Sequence, residues 1–214
     1  MNKNFILIFF LSPLFLSAQV VSDAKLWAGI SVNKSFNDLT ISFTEEMRLD
    51  ENISHIDKIL SEIGAQYKIT KGFYIGLNYR YSRDNDYETK NYDMKHRIDF
   101  GLTYKRKLND FRFSFRTKIQ SKSALPNENN PTFSRNKFAL KYKLNKKVIP
   151  FIAYEFYYQF NDQKVINRTR YSLGTSYKIN SNNALKLFYL FETRFNTRNL
   201  KYNHIYGISY SIDI

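Results

Sequence analysis

From Leu26 onward the chain alternates apolar and polar side chains with a period of two, the signature of extended strands with unlike faces. Leu39, Ile41, Phe43, Met47 and Leu49 share one parity, against Thr40, Ser42, Thr44, Glu46, Arg48 and Asp50. Phe73, Ile75, Leu77, Tyr79 and Tyr81 oppose Tyr74, Gly76, Asn78, Arg80 and Ser82. Met94, His96, Ile98, Phe100, Leu102 and Tyr104 oppose Lys95, Arg97, Asp99, Gly101, Thr103 and Lys105, and Phe111, Phe113, Phe115 and Ile119 oppose Arg112, Ser114, Arg116, Lys118 and Gln120. Five further runs follow the same pattern, at 136–144, 150–160, 168–179, 185–195 and 202–214. Between His55 and Ala65 the spacing of Ile56, Ile59, Leu60 and Ile63 also suits a short amphipathic helix.

Alternation alone fits a soluble, secreted β-sandwich binding module as well as a membrane barrel. Three features favour the barrel. The runs are long, about ten to thirteen residues, which suits tilted strands crossing a bilayer better than the ~5–6 residues usual in globular sheets. Their apolar face is rich in tyrosine, a side chain at home at a lipid headgroup boundary. Connections also alternate in length: short near 35–38, 70–72, 107–110, 145–147 and 180–183, longer at 51–57, 83–93, 121–134, 161–167 and 196–201. Sorting of short turns to one side and long loops to the other is the habit of outer-membrane barrels. The expected fold is all-β, a single antiparallel up-and-down transmembrane barrel of about 10–12 strands. Counting Leu26–Lys34 gives eleven runs; either residues 19–25 supply one more strand, or the first run lies elsewhere and ten strands close.

Short turns recur every 35–40 residues and are introduced by similar words: Tyr67-Lys68-Ile69, Tyr104-Lys105-Arg106, Tyr142-Lys143-Leu144 and Tyr177-Lys178-Ile179. This is one hairpin per unit, and the period-two segments between turns exclude a helical solenoid. Tyr67, Tyr104, Tyr142 and Tyr177 are the expected aromatic girdle.

Composition sharpens the picture. The 214 residues include 17 Tyr and 19 Phe but no Cys, which excludes a disulfide framework, a thiolate nucleophile and a lipidated N-terminal cysteine. The formal net charge of +14 would suit nucleic acid, but the N-terminus argues for export. Met1-Asn2-Lys3-Asn4 is a short basic start, Phe5–Phe15 is almost continuously apolar, and Leu16-Ser17-Ala18 ends on a small residue. Residues 1–18 therefore read as a cleaved signal peptide and 19–214 as the barrel, placed in the outer membrane. Nucleic acid is not expected as a partner. Outer-membrane lipid, lipopolysaccharide and the barrel-assembly machinery are, and no protein partner is indicated.

Several short motifs, in their order and spacing, carry a family resemblance: Leu26-Trp27-Ala28-Gly29, Thr44-Glu45-Glu46-Met47-Arg48, Asn78-Tyr79-Arg80-Tyr81, Lys95-His96-Arg97, Tyr154-Glu155-Phe156 and Tyr206-Gly207-Ile208-Ser209-Tyr210. Together they resemble the DUF2490 family of Bacteroidetes outer-membrane barrels over nearly the whole mature chain. The resemblance implies an outer-membrane β-barrel and brings no activity, substrate or catalytic residue.

Polar chemistry concentrates on the expected inner face. That face would hold Glu46, Arg48, Glu62, Arg80, Arg97, Asp99, Arg112, Arg116, Lys118, Glu155, Arg168, Arg170, Glu192 and Arg194. Paired across strands, these charges would plug a narrow lumen; unpaired, they would line an anion-leaning small-solute pore. A barrel of this size is close to what side chains can fill. A lipid- or glycan-processing enzyme is the alternative, but His55 reads as a loop residue, and His96 and His204 fall on the apolar parity, so no serine–histidine pair is expected in the lumen. Glu155 and Glu192 could serve as an acid–base pair, with pairing to Arg168, Arg170 or Arg194 the simpler expectation. No catalytic residue, metal site or cofactor is assigned. Lys90, Lys95 and Arg135 read as loop bases that could meet lipopolysaccharide phosphates.

Overall fold

A computed structural model describes residues 21–87, 89, 91–123, 132–161, 164–195 and 200–214. The expected signal peptide lies outside the described residues, as does Lys90. Eleven strands follow one another: β1 (Val21–Phe36), β2 (Leu39–Asp50), β3 (His55–Thr70), β4 (Phe73–Asp86), β5 (Asn91–Leu108) and β6 (Phe111–Ser123), then β7 (Thr132–Tyr142), β8 (Val148–Gln159), β9 (Ile166–Lys178), β10 (Asn183–Arg194) and β11 (Lys201–Asp213). Each pairs with its sequence neighbours, and β1 pairs with β11, so the sheet closes on itself and leaves no edge.

The all-antiparallel expectation needs one correction. The ten pairings between successive strands are antiparallel, but the closing pair is parallel, with thirteen residue pairs from Val21↔Lys201 to Asn33↔Asp213. An odd number of up-and-down strands forces this, because the first and last then run the same way. Residues Val21–Lys25 neither add a strand nor lie apart; they lengthen the first one. Both β1 and β11 thus start at the end carrying the longer connections.

The short-turn end is built from residues that accept a left-handed backbone. Asn37 (φ 52°), Asn109 (φ 53°) and Gly72 (φ 88°) reverse three hairpins within two residues each. At the opposite end the connections described or bracketed by strands run over 51–54, 87–90, 124–131, 160–165 and 195–200. The expected sorting by length is incomplete: 51–54 and 87–90 are no longer than 179–182 and shorter than 143–147 at the other end, in part because 83–86 and 91–93 continue β4 and β5 as a paired ribbon. Lys95 and Arg135 are accordingly strand residues, not loop bases, and their side chains reach Asp84 and Glu155. His55 likewise opens β3 instead of sitting in a loop.

Nor is there a helix at 55–65. The helical spacing of Ile56 and Ile59 comes from a bulge: Lys58 pairs with Arg48 and Ile56 with Leu49, leaving Asp57 as the extra residue. One inserted residue turns a two-residue step into three, which on paper mimics a helical repeat.

The two faces of the wall are sharply unlike. Outward-facing apolar side chains are widely exposed, among them Phe43, Ile63, Leu77, Phe100, Ile152 (61%) and Leu173 (57%). Inward lie Asp99 (0%), Glu192 (1%), Glu155 and Arg170, with apolar neighbours Leu60, Phe151 and Ile205. The exposed apolar surface girdles the whole barrel, far beyond the few hundred Å² tolerated as a patch on a soluble monomer. Inside, glycine makes room for one aromatic ring: Phe188 has Gly174 and Gly207 as its partners on the flanking strands, and a Cβ on either would strike it.

Candidate functional site

The lumen collects the ionic side chains because strand parity gives them no other place, and pairing follows from the register. Arg48 meets Glu46 at 2.6 Å along β2. On β3–β5, Glu62 accepts from Arg80 at 2.7 Å and from Arg97 at 3.0 Å; Arg97 also reaches Asp99 at 2.9 Å. Lys118 approaches Asp99 at 3.8 Å. A second cluster is centred on Arg170, whose guanidinium contacts Glu192 through two nitrogens at 2.7 Å each, donates to the Tyr157 hydroxyl at 2.5 Å and lies 3.5 Å from Glu155. Glu192 takes Arg194 at 2.7 Å, Arg168 at 3.6 Å and the Asn203 amide at 2.9 Å. Glu155 takes Arg135 at 3.1 Å and Arg116 at 3.3 Å. A carboxylate shared by several guanidiniums is held as an anion by charge-assisted hydrogen bonds, the strong class of such contacts.

Aromatic rings link the clusters. Trp27 on β1 lies beneath the Arg48 guanidinium, 3.9 Å from its centroid, and within 5.2 Å of Arg170, which belongs to β9. Tyr157 has the guanidiniums of Arg135, Arg168 and Arg170 within 4.7–5.0 Å of its ring. Such stacking suits arginine, whose planar, weakly hydrated charge tolerates a ring face. The Trp27–Arg170 contact reaches past the two intervening strands and narrows the lumen.

Of the fourteen inner-face residues expected from sequence, thirteen make these ion pairs. Arg112 does not: it is exposed at the short-turn end and has no ion pair among the described residues. Sequence reasoning missed Trp27, Arg135 and Tyr157, together with an outer tier in which Lys25 pairs with Asp23 (3.1 Å) and Asp50 (3.3 Å) and Lys58 with Asp84 (2.5 Å). Arg135 hid in an expected loop. Tyr157 hid because β8 is apolar on both faces, so only the parity of Glu155 could have revealed it. At the loop edge Tyr87 donates to Asp50 at 2.5 Å, and burial, then the Asp50 carboxylate, push its phenol above the usual tyrosine range.

The outer face carries two tyrosine–histidine pairs, Tyr79 with His96 at 2.8 Å and Tyr189 with His204 at 2.7 Å. No described histidine has a serine hydroxyl as hydrogen-bond partner. Tyr67, Tyr104, Tyr142 and Tyr177 share the outer face at the short-turn end; Tyr104 packs on Phe73 (4.7 Å between centroids) and Tyr142 on Phe111 (4.9 Å).

Space inside divides into three cavities in file. One of about 890 Å³ opens toward the long-loop end and shares Trp27, Arg48, Tyr157 and Arg170 with a middle cavity of about 260 Å³. The middle cavity shares Arg116, Lys137, Phe151 and Lys186 with a third, of about 280 Å³, at the short-turn end.

Comparison with known proteins gives a family and a set of distant structural likenesses. Among curated proteins no relative was found. Solved structures include OmpT of Vibrio cholerae (15% identity, TM-score 0.43, 73% of this chain and 55% of that one). Others are the translocator domain of the autotransporter NalP from Neisseria meningitidis (9%, 0.48, 78% and 71%) and the β-domain of the Bordetella autotransporter BrkA (12%, 0.43, 79% and 82%). The chain spans about half the length of the OmpT chain that it matches. A family model described as a protein of unknown function, DUF2490, matches residues 24–203, so the chain belongs to the DUF2490 family.

Proposed function

We propose that the protein is an outer-membrane barrel with a lumen closed by its own ion pairs, a structural wall element rather than an open porin. The carrying observation is the Arg170 cluster: one guanidinium joins Glu155, Tyr157 and Glu192 and meets Trp27 from the far side of the β1–β11 seam. Eleven strands sit near the size at which side chains fill the interior, well below the ~16–18 of open porins. The apolar outer wall supports a bilayer setting, with residues 1–18 as the export signal and the longer loops outside the cell. Outer-membrane lipid and lipopolysaccharide are then the natural surroundings, assembly proceeds through the barrel-assembly machinery, and the four turn-side tyrosines form the inner girdle.

A narrow anion-leaning pore is the second reading, favoured by the three cavities in file and their cationic dividing residues. Catalysis has less support, since Glu155 and Glu192 are each bound by three arginines and His96 and His204 face outward. Planar-bilayer recording separates the readings. A closed barrel gives no stepwise current at moderate voltage, small anion-selective steps support the pore, and porin-sized steps contradict both.

A further inference from the structure

The cavities differ in how their charge is balanced. The wall of the large one alternates bases with Asp23, Asp50, Asp84 and Glu192. The cavity at the short-turn end has Lys105, Arg116, Lys137, Lys141 and Lys186 in its wall and no carboxylate. These come from β5, β6, β7 and β10, and Arg116 and Lys137 are direct cross-strand partners, an arrangement that repels unless something negative lies between.

The protein offers these cations little counter-charge. Arg116 reaches Glu155 at 3.3 Å, but that carboxylate is already shared with Arg135 and Arg170, and Arg116 Nε is buried with no partner. Lys105 finds the Gln66 amide oxygen at 3.3 Å and the Tyr74 ring at 4.2 Å. Lys186 lies 4.8 and 4.9 Å from the rings of Phe151 and Phe188. Lys137 has Glu155 as its cross-strand partner on β8 but makes no ion pair or side-chain hydrogen bond among the described residues, and Lys141 makes none either. Five basic side chains thus converge with donors to spare.

We propose that this cavity binds a small polyvalent oxyanion of the phosphate class, free in solution. About 280 Å³ takes a phosphate or pyrophosphate with a few waters, at ~30 Å³ of liquid volume per water, and excludes a polymer. Several convergent cations favour multiple charge over chloride. The same phosphate chemistry could come from a lipid headgroup, but the cations sit on the lumen face while their strand neighbours Phe138 and Leu140 are exposed on the outer one. This goes beyond the closed-lumen reading and does not depend on it, since bilayer current and anion binding are read separately.

The test is calorimetric titration of the full chain, folded in a zwitterionic detergent, with pyrophosphate. Saturable 1:1 binding that weakens with salt is expected, lowered about tenfold or more by Lys137→Gln or Lys186→Gln and unchanged by Lys25→Gln, which lies in the far tier. If Lys137→Gln does not fold, Lys141→Gln at the exposed mouth replaces it. Absence of saturable binding at millimolar pyrophosphate, or equal binding by these variants, overturns the proposal. In nanodiscs, equal affinity with zwitterionic and anionic lipid supports a free anion; competition by phosphatidylglycerol overturns that assignment in favour of a headgroup.

Discussion

Replacing Arg170 by Met removes a side chain that touches two of the buried carboxylates of the lumen, Glu155 and Glu192. Glu192 is 1% and Glu155 5% exposed, so neither is solvated by bulk water once its partner is gone. Arg170 holds Glu192 through two nitrogens at 2.7 Å, and hydrogen bonds to charged groups are each worth ~1.5–3 kcal/mol net. Breaking a buried pair from one side costs ~3–5 kcal/mol. Glu192 keeps Arg194 at 2.7 Å and Arg168 at 3.6 Å, which pulls the expectation to the lower end, ~3 kcal/mol. Arg170→Lys keeps the charge without the fork and should lose roughly half as much. Urea titration of the folded fraction in lipid vesicles, followed by the gel-mobility difference between folded and unfolded barrel, measures this. A double-mutant cycle with Glu192→Gln should show coupling of ~1–3 kcal/mol. If Arg170→Met lies within ~0.5 kcal/mol of the parent, as an ordinary surface substitution would, the ion-pair lumen does not hold the barrel together.

Three further outcomes follow from separate parts of the wall. Gly207→Ala drives a methyl into the Phe188 ring and should cost ~1–3 kcal/mol, recovered in part by Phe188→Ala; Gly174→Ala also meets the Leu187 carbonyl and the Phe188 Cα, so the same second change should not rescue it, as urea titration would report. Trp27 is the sole tryptophan and lies between two guanidiniums, so brominated acyl chains should leave its fluorescence unquenched. The phenol of Tyr87 titrates higher in the folded barrel than in the open chain. Its contribution is therefore complete below pH ~10 and declines as pH rises beyond that, and Tyr87→Phe should flatten the alkaline fall of the melting temperature.

The strands were legible because alternation is a local property: Phe111 to Gln120 states its two faces without help from the rest of the chain. Inner parity followed directly, as for Glu62, Asp99 and Glu192. What the sequence hid depends on pairing. The Asp57 bulge imitates a helical step, and the parallel seam is visible only when β1 meets β11. Arg135 looked like a loop base because polarity alone does not show where a paired ribbon stops. Trp27 and Tyr157 escaped notice because most aromatic residues of the strands face outward; their inward placement brings them against guanidiniums contributed by other strands.

Oxygen accessibility at two adjacent positions of β9 tests the central claim most directly, in a chain with no native cysteine to interfere. Nitroxides at Leu173→Cys and Ser172→Cys, in vesicles, should differ sharply: the first relaxed by membrane-dissolved oxygen, the second shielded from it inside the wall. Oxygen contact at 172 with shielding at 173 would put the ionic face against lipid and contradict the account.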